Sequence, residues 1–277
     1  MLTISLYYLG HAINAEAFIE LDSRLVDPFF TIISALAFFN QSWVGTTVFS
    51  NMPYWSLGYE VLYYAFFGIL IYTQGLRRVI FLILILALMG PSILLYLSIW
   101  LMGVLCFKLL GSYPRLPVFF ALFLFISSIV GCIFFTFNSV QEAINSFFVS
   151  LLGESFYDLL LEPAEKFAGD YVLAFFVMLH IFSASYIGTN FSVFNRYIAS
   201  IIKKSASYTF SIYLYHMPIL FFVSAVLPFK MYPVINPVIC WLVVPIVVLV
   251  LSHVTENNKG FYKKLFSRVL SSRPLLN

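Results

Sequence analysis

The chain has 277 residues, of which 62% are hydrophobic, 19% aromatic and only 10% charged, with a formal net charge of +3. Soluble domains carry roughly a quarter charged residues, so a single water-soluble core is excluded and lipid must cover much of the surface. No basic run with interleaved aromatics points to nucleic acid. Cys106, Cys132 and Cys240, each inside an apolar segment, offer neither a disulfide framework nor metal-ligand spacing and read as buried free thiols.

Residues 1–28 are mixed, with Glu16, Glu20, Asp22, Arg24 and Asp27 crowding the approach to Pro28, and no secretory signal opens the chain. The stretch 29–50 is apolar but holds Asn40, Gln41 and Ser42, so it is either a span or a re-entrant segment shielded by protein. A spanning helix needs about 20 mostly apolar residues. Windows of that kind fall at 54–74, 77–97, 115–137, 170–190, 205–226 and 234–255, and 98–110 is a short span or half of a broken one. Within 140–152, Ile144, Phe147, Phe148, Leu151 and Leu152 recur at helical spacing, which predicts an amphipathic helix on the outer surface or a lid over the bundle. The expected fold is an all-α polytopic transmembrane helix bundle of about seven or eight spans, forming one membrane-embedded domain over 1–277.

Lys and Arg in short loops set orientation. Arg77–Arg78, Lys108 with Arg115, and Arg196 with Lys203–Lys204 form three basic clusters, and a basic tail covers 257–277. The loop 138–169 and its neighbour Asp170 carry Glu142, Glu154, Asp158, Glu162 and Glu165 against Lys166 alone. Placing every basic cluster in the cytoplasm is self-consistent if 98–110 counts as a span. The 138–169 loop is then extracytoplasmic, the C-terminus cytoplasmic, and the Trp55 end of the 54–74 span faces out.

Ionisable groups inside a bilayer cost several kcal/mol unless paired or hydrated, and Glu60, His180 and His216 ask for a reason. Ser56, Glu60, Tyr63, Tyr64 and Phe67 share one side of a long apolar helix. Such a cluster orients a base, binds sugar hydroxyls, or pins helices together. Ser207, Tyr208, Ser211 and Tyr215 form a second polar stripe beside His216. Pro218 cannot donate to the Leu214 carbonyl, which a ligand, a hydroxyl or the imidazole is free to meet. His180 stands alone among apolar residues and is expected to make a helix–helix contact.

Trp55-Ser56-Leu57-Gly58-Tyr59-Glu60 followed by Tyr63-Tyr64 resembles the Trp-Ser-Leu-x-x-Glu-x-x-[Phe/Tyr]-Tyr motif of acyltransferase family 3, bacterial membrane O-acyltransferases acting on surface polysaccharides and related glycans. Ser207-Tyr208 through Tyr213-Leu214-Tyr215-His216-Met217-Pro218 is similar to the family's Ser-Tyr-x-x-Tyr-Leu-x-His-x-Pro. The last span running into Thr255-Glu256, and Phe38-Phe39-Asn40-Gln41-Ser42-Trp43 ahead of the first motif, agree in order and spacing over roughly residues 30–265. The family usually begins with two further spans, the first bearing an Arg-x10-His motif whose His is the expected base. No Arg precedes His11 and too little chain separates it from Trp55, so His11 is not that base. The resemblance therefore implies a member lacking the first two spans, either a mis-started gene product or a degenerate copy, with transfer expected to be weak or absent.

The resemblance implies transfer of an acyl group, acetyl first among the candidates, from acyl-CoA to hydroxyls of an exported or cell-surface polysaccharide. The setting would be a bacterial inner (plasma) membrane. The donor acetyl-CoA would be a substrate, with no bound cofactor and no metal; the partners would be membrane lipid and a glycan or lipid-linked sugar. Glu60 and His216 are then the catalytic candidates, with Trp55, Ser56, Tyr63, Tyr64, Ser207, Tyr208, Ser211 and Tyr215 the substrate-binding set. The polar sides of 54–74 and 205–226 would share one cavity. A multi-span transporter and a non-catalytic remnant are the alternatives.

Overall fold

A computed structural model of the chain describes residues 2–25, 27–43, 45–112, 116–155, 157, 164, 166–190, 196–227, 235–258, 260, 264 and 267. Most of the 257–277 tail, Arg115 and residues 156, 158–163 and 165 of the 138–169 loop lie outside the described residues. The described residues are helical with irregular connections, and they hold no strand beyond the isolated bridge Val48–Asn51. In chain order the helices are α1 (Leu2–Ile13), α2 (Ile19–Arg24), α3 (Pro28–Leu36), α4 (Trp55–Tyr72), α5 (Gly75–Ser112) and α6 (Val118–Phe137). They continue with α7 (Val140–Leu152), α8 (Phe167–Asn190), α9 (Arg196–Ser207), α10 (Thr209–Val226) and α11 (Ile235–Asn257). Five of them, α5, α6, α8, α10 and α11, are long and apolar enough to cross a membrane.

The chain divides into two compact units. The first joins Met1–Ile33, Thr46–Ser56 and Arg196–Asn277. In it α10 packs along α11 through Ile219, Val244 and Val248, and α1 packs against α10. Tyr7, Phe18, Leu21, Phe49 and Ala225 close a second apolar cluster where α1, the 3₁₀ turn Ala15–Phe18 and the segment before α4 meet. Burying such side chains contributes about 1.5–3 kcal/mol each, and it fixes the short helices that are too brief to hold themselves.

The second unit comprises Ser34–Gly45 and Leu57–Asn195. Its core is Tyr59, Leu62 and Tyr63 of α4 against Ile85, Met89, Ile93 and Leu97 of α5. The expected division of α5 at 97/98 is displaced. The helix breaks at Gly90, with φ +74 and ψ 172, a left-handed backbone that side chains other than glycine's rarely tolerate. Pro91 follows at a first-turn position, where a missing N–H costs little. The break is a reversal. Ring pairs Tyr59–Tyr96 and Tyr63–Trp100, 6.0 and 5.8 Å apart, rise together along α4 and the second arm, and Phe67 lies 5.7 Å from the same Trp100. A straight continuation from Gly75 would instead have carried Trp100 past the start of α4.

The stretch 29–50 is not one spanning helix. α3 ends at Leu36, and irregular backbone follows, with Phe38 at φ 62 and with Asn40, Ser42, Thr46 and Ser50 buried. Its Ser42 carbonyl enters the Gly90 turn so closely that a Cβ on Gly90 would lie 1.8 Å from it. Trp43 donates its indole N–H to the Ala87 carbonyl at 2.9 Å, one of those orphaned where the first arm ends. Non-helical backbone at membrane depth survives only when protein covers it, which is the physical content of the re-entrant alternative.

α6 and α8 run antiparallel, with Ser128 beside His180 and Phe135 beside Gly169. α7 packs on both, placing Phe148 against Phe167 while Phe147 and Leu151 stay exposed.

Candidate functional site

In α4 the side chains expected on one face divide between two. Tyr63 follows Tyr59 by one turn and is buried, donating its hydroxyl to the Ile93 carbonyl at 2.7 Å. Glu60 and Tyr64, also one turn apart, form the neighbouring, exposed face, with the Tyr64 ring edge-on to Trp100 at 6.1 Å. At about 100° per residue the two pairs sit side by side without sharing a face. Among the described residues no hydrogen bond or ion pair reaches the Glu60 carboxylate, so it is not the satisfied interior cluster that spacing suggests. Trp55 is exposed, and the Ser56 hydroxyl donates to the Pro53 carbonyl at 3.2 Å. Trp55 and Ser56 belong to the first unit, Glu60, Tyr63 and Tyr64 to the second.

The second stripe lies wholly in the first unit. Ser211, buried at the start of α10, donates to Glu256 Oε1 at 2.9 Å, and the Thr255 hydroxyl stands 3.4 Å from Ser211 Oγ. The Tyr208 hydroxyl lies 3.1 Å from His253 Nδ1. The start of α10 is thus tied to the end of α11 by side chains that spacing alone could not pair. Ser207 is exposed and bonds its own turn at Lys204, whereas Tyr215 packs into the apolar cluster of Ile219, Val244 and Val248.

His216 is half-buried, and its Nδ1 sits 2.7 Å from the Tyr213 carbonyl and 3.1 Å from that of Ile212. Carbonyls only accept, so Nδ1 carries the proton and Nε2 is left with the lone pair. The partner is the helix turn below rather than the Leu214 carbonyl, because a side chain on α10 leans toward the preceding turn. His180 resolves in the same way. Ser128 gives its own proton to the Phe125 carbonyl at 2.7 Å and accepts from His180 Nδ1 at 3.0 Å, a helix–helix contact with the Phe125 ring 4.3 Å from the imidazole.

Two polar groups escaped sequence reasoning. Asp22 on α2 accepts the Tyr7 hydroxyl on one carboxylate oxygen and faces His11 Nε2 at 3.1 Å on the other. Burial and the adjacent carboxylate push the Tyr7 hydroxyl above its ordinary value, so it remains a donor. In the second unit Tyr96 donates to Asp170 Oδ2 at 2.6 Å and Gln141 to Oδ1 at 3.4 Å, at one end of a mainly apolar cavity of about 660 Å³ between α5 and α8. The only signals in the sequence were acids placed beside apolar helix ends. Among the described residues no three His, Cys, Asp or Glu side chains gather as metal ligands. Cys106 and Cys240 are buried, Cys132 is half-buried, and all three are free.

No family model matches the chain, and neither does any curated protein or solved structure.

Proposed function

We propose that the chain is a membrane O-acyltransferase of the acyltransferase family 3 type, moving an acyl group from acyl-CoA to a glycan hydroxyl. The observation that carries this reading is the convergence of two motifs at one end of α10. Ser211 and Tyr208 from the Ser-Tyr motif meet Glu256, Thr255 and His253 from the end of α11, beside the exposed Lys203 and Lys204. Those lysines suit the phosphates of a CoA donor, with acetyl-CoA the first candidate. His216 lies further along the same helix, where among the described residues only its Nδ1 is bonded; in the second unit, exposed Glu60 and Tyr64 carry groups of the kind that bond sugar hydroxyls. In this reading the membrane is a bacterial inner membrane and the C-terminus is cytoplasmic. The acceptor is an exported or lipid-linked polysaccharide on the Trp55 side.

Reconstitution into proteoliposomes with acetyl-CoA tests it. Acceptor-dependent release of CoA thiol, even at a low rate, with an acetylated sugar found by mass spectrometry, is the result that supports it. Release without any acylated acceptor would count against the reading. The transporter alternative draws on the break in α5, since discontinuous helices at mid-membrane are a transporter device. Substrate flux across the same vesicles in the absence of acyl transfer would favour it.

A further inference from the structure

Acyl transfer to an alcohol needs a base beside the acceptor hydroxyl. Three side chains in the first unit have the form of one. Asp22 bridges the Tyr7 hydroxyl and His11 Nε2, and its own side chain and that of His11 are 37% and 40% exposed, enough for a substrate to approach. A carboxylate only accepts at neutral pH, so the neutral imidazole must place its proton on Nε2. Nδ1 then holds the lone pair, and among the described residues it has no hydrogen-bond partner. This is the arrangement in which a buried or half-buried acid fixes the tautomer of a histidine base and steadies the imidazolium it becomes. Tyr7 is 5% exposed and packs edge-on to Phe18 at 5.4 Å, and both rings flank His11 within 6.0 Å.

The position along α10 also suits the role. A Cβ on Gly10, next to His11, would lie 3.5 Å from Phe222, and Phe18 lies 6.0 Å from Phe221. Phe222 stands roughly 17 Å along the helix axis from Ser211 at about 1.5 Å per residue. The His11 group is therefore at the opposite end of α10 from Lys203 and Lys204, and it shares its apolar cluster with Phe49 and Met52 just ahead of Trp55. That is the end assigned above to the acceptor.

We propose that His11, oriented by Asp22 and Tyr7, is the general base that accepts the proton of the acceptor hydroxyl, an inference that rests on the acyltransferase reading. The hydroxyl proton passes to Nδ1 as its oxygen bonds the acyl carbon of the thioester. The carbon–sulfur bond then breaks, and the departing CoA thiolate takes the proton back from the imidazolium. Asp22 and Tyr7 are positioning residues, since they act through His11.

The test uses the full chain in proteoliposomes with acetyl-CoA as donor and a series of p-nitrophenyl glycosides as acceptors. His11→Gln is expected to lower acceptor-dependent CoA release by about 10²–10⁴-fold, and Glu142→Gln to leave it unchanged. His11→Ala should regain part of its turnover on adding free imidazole, which a purely structural role would not allow. Nitrogen NMR of histidine-labelled protein at alkaline pH should show His11 as the Nε2–H tautomer, lost in Asp22→Asn. Wild-type turnover that survives His11→Gln, or collapses only in His216→Gln, overturns the His11 assignment and leaves the acyltransferase reading standing. An Nδ1–H tautomer at His11 overturns the assignment without reference to activity. No acylated glycoside from the wild type would sink both.

Discussion

Glu60 and Tyr64 occupy the open face of α4 while Tyr59 and Tyr63 fill the core beside it, and that difference makes the role of Glu60 measurable. A buried carboxylate cannot be neutralised without disturbing the fold, so its loss confounds stability with function. Glu60 is exposed, and among the described residues it has no partner to lose. Glu60→Gln should therefore leave unfolding in detergent within about 0.5 kcal/mol of the parent and lower acyl transfer by roughly tenfold or more, within the range of a general acid–base or orienting group. Glu142→Gln, exposed in the first turn of α7, should change neither. Equal transfer by both variants would take Glu60 out of the site. The motif residues were readable one by one, but their partners were not. His253 is 45 residues from Tyr208, as Glu256 is from Ser211. Asp22 is 11 from His11, across a turn. Such pairings depend on which helices pack together, and periodicity within one helix says nothing of that.

At the scale of elements, α5 shows what a hydropathy window misses. Averaging over about 20 residues sees apolar side chains throughout 77–110 and is blind to φ, so the boundary falls at 97/98, where one span length ends. The informative letters were Gly90-Pro91, a stop and a start in two residues. By contrast α7 was legible residue by residue, because its apolar positions repeat at helical spacing from Val140 to Leu152. The Gly90 turn yields a graded prediction for unfolding in detergent. Trp43→Phe removes the donor to the Ala87 carbonyl, and a carbonyl stranded in this way costs about 1–3 kcal/mol. Gly90→Ala should cost more than that, because the new Cβ would meet the Ser42 carbonyl at 1.8 Å and the backbone is left-handed. Gly68→Ala in α4, where a Cβ meets nothing within 4 Å, is the control and should be neutral or stabilising by up to about 1 kcal/mol. Tolerance of Gly90→Ala would mean that the turn is not held as described.

For the whole molecule, the reversal at Gly90 decides how the basic clusters distribute across the membrane. If 75–112 crossed once, Arg77–Arg78 and Lys108 would lie on opposite sides, against the bias that keeps Lys and Arg in cytoplasmic loops. Two arms meeting at Gly90 return Lys108 to the side of Arg77. Helix directions within the second unit agree: Tyr171 donates to the Leu95 carbonyl at 2.6 Å and Cys106 lies 3.8 Å from that of Met178, so the second arm and α8 run parallel, with α6 antiparallel to α8. The first arm, 75–89, rises only about 22 Å at about 1.5 Å per residue, short of the roughly 30 Å hydrocarbon core. Its turn would then sit at membrane depth, where the Ser42 and Trp43 backbone covers it. The topology we expect has α4, α6, α8, α10 and α11 crossing, with the two arms of α5 entering and returning on one side and the end of α11 in the cytoplasm. In a variant freed of Cys106, Cys132 and Cys240, single cysteines at Gln74 and Ser112 should both react with an impermeant maleimide from the cytoplasmic side only. A cysteine at Ser139 should react only from the opposite side. Labelling of positions 74 and 112 from opposite sides would make α5 a single crossing. That would invert every loop after it relative to Trp55, moving Lys203, Lys204 and the Ser211–Glu256 pair away from the compartment that holds the proposed donor.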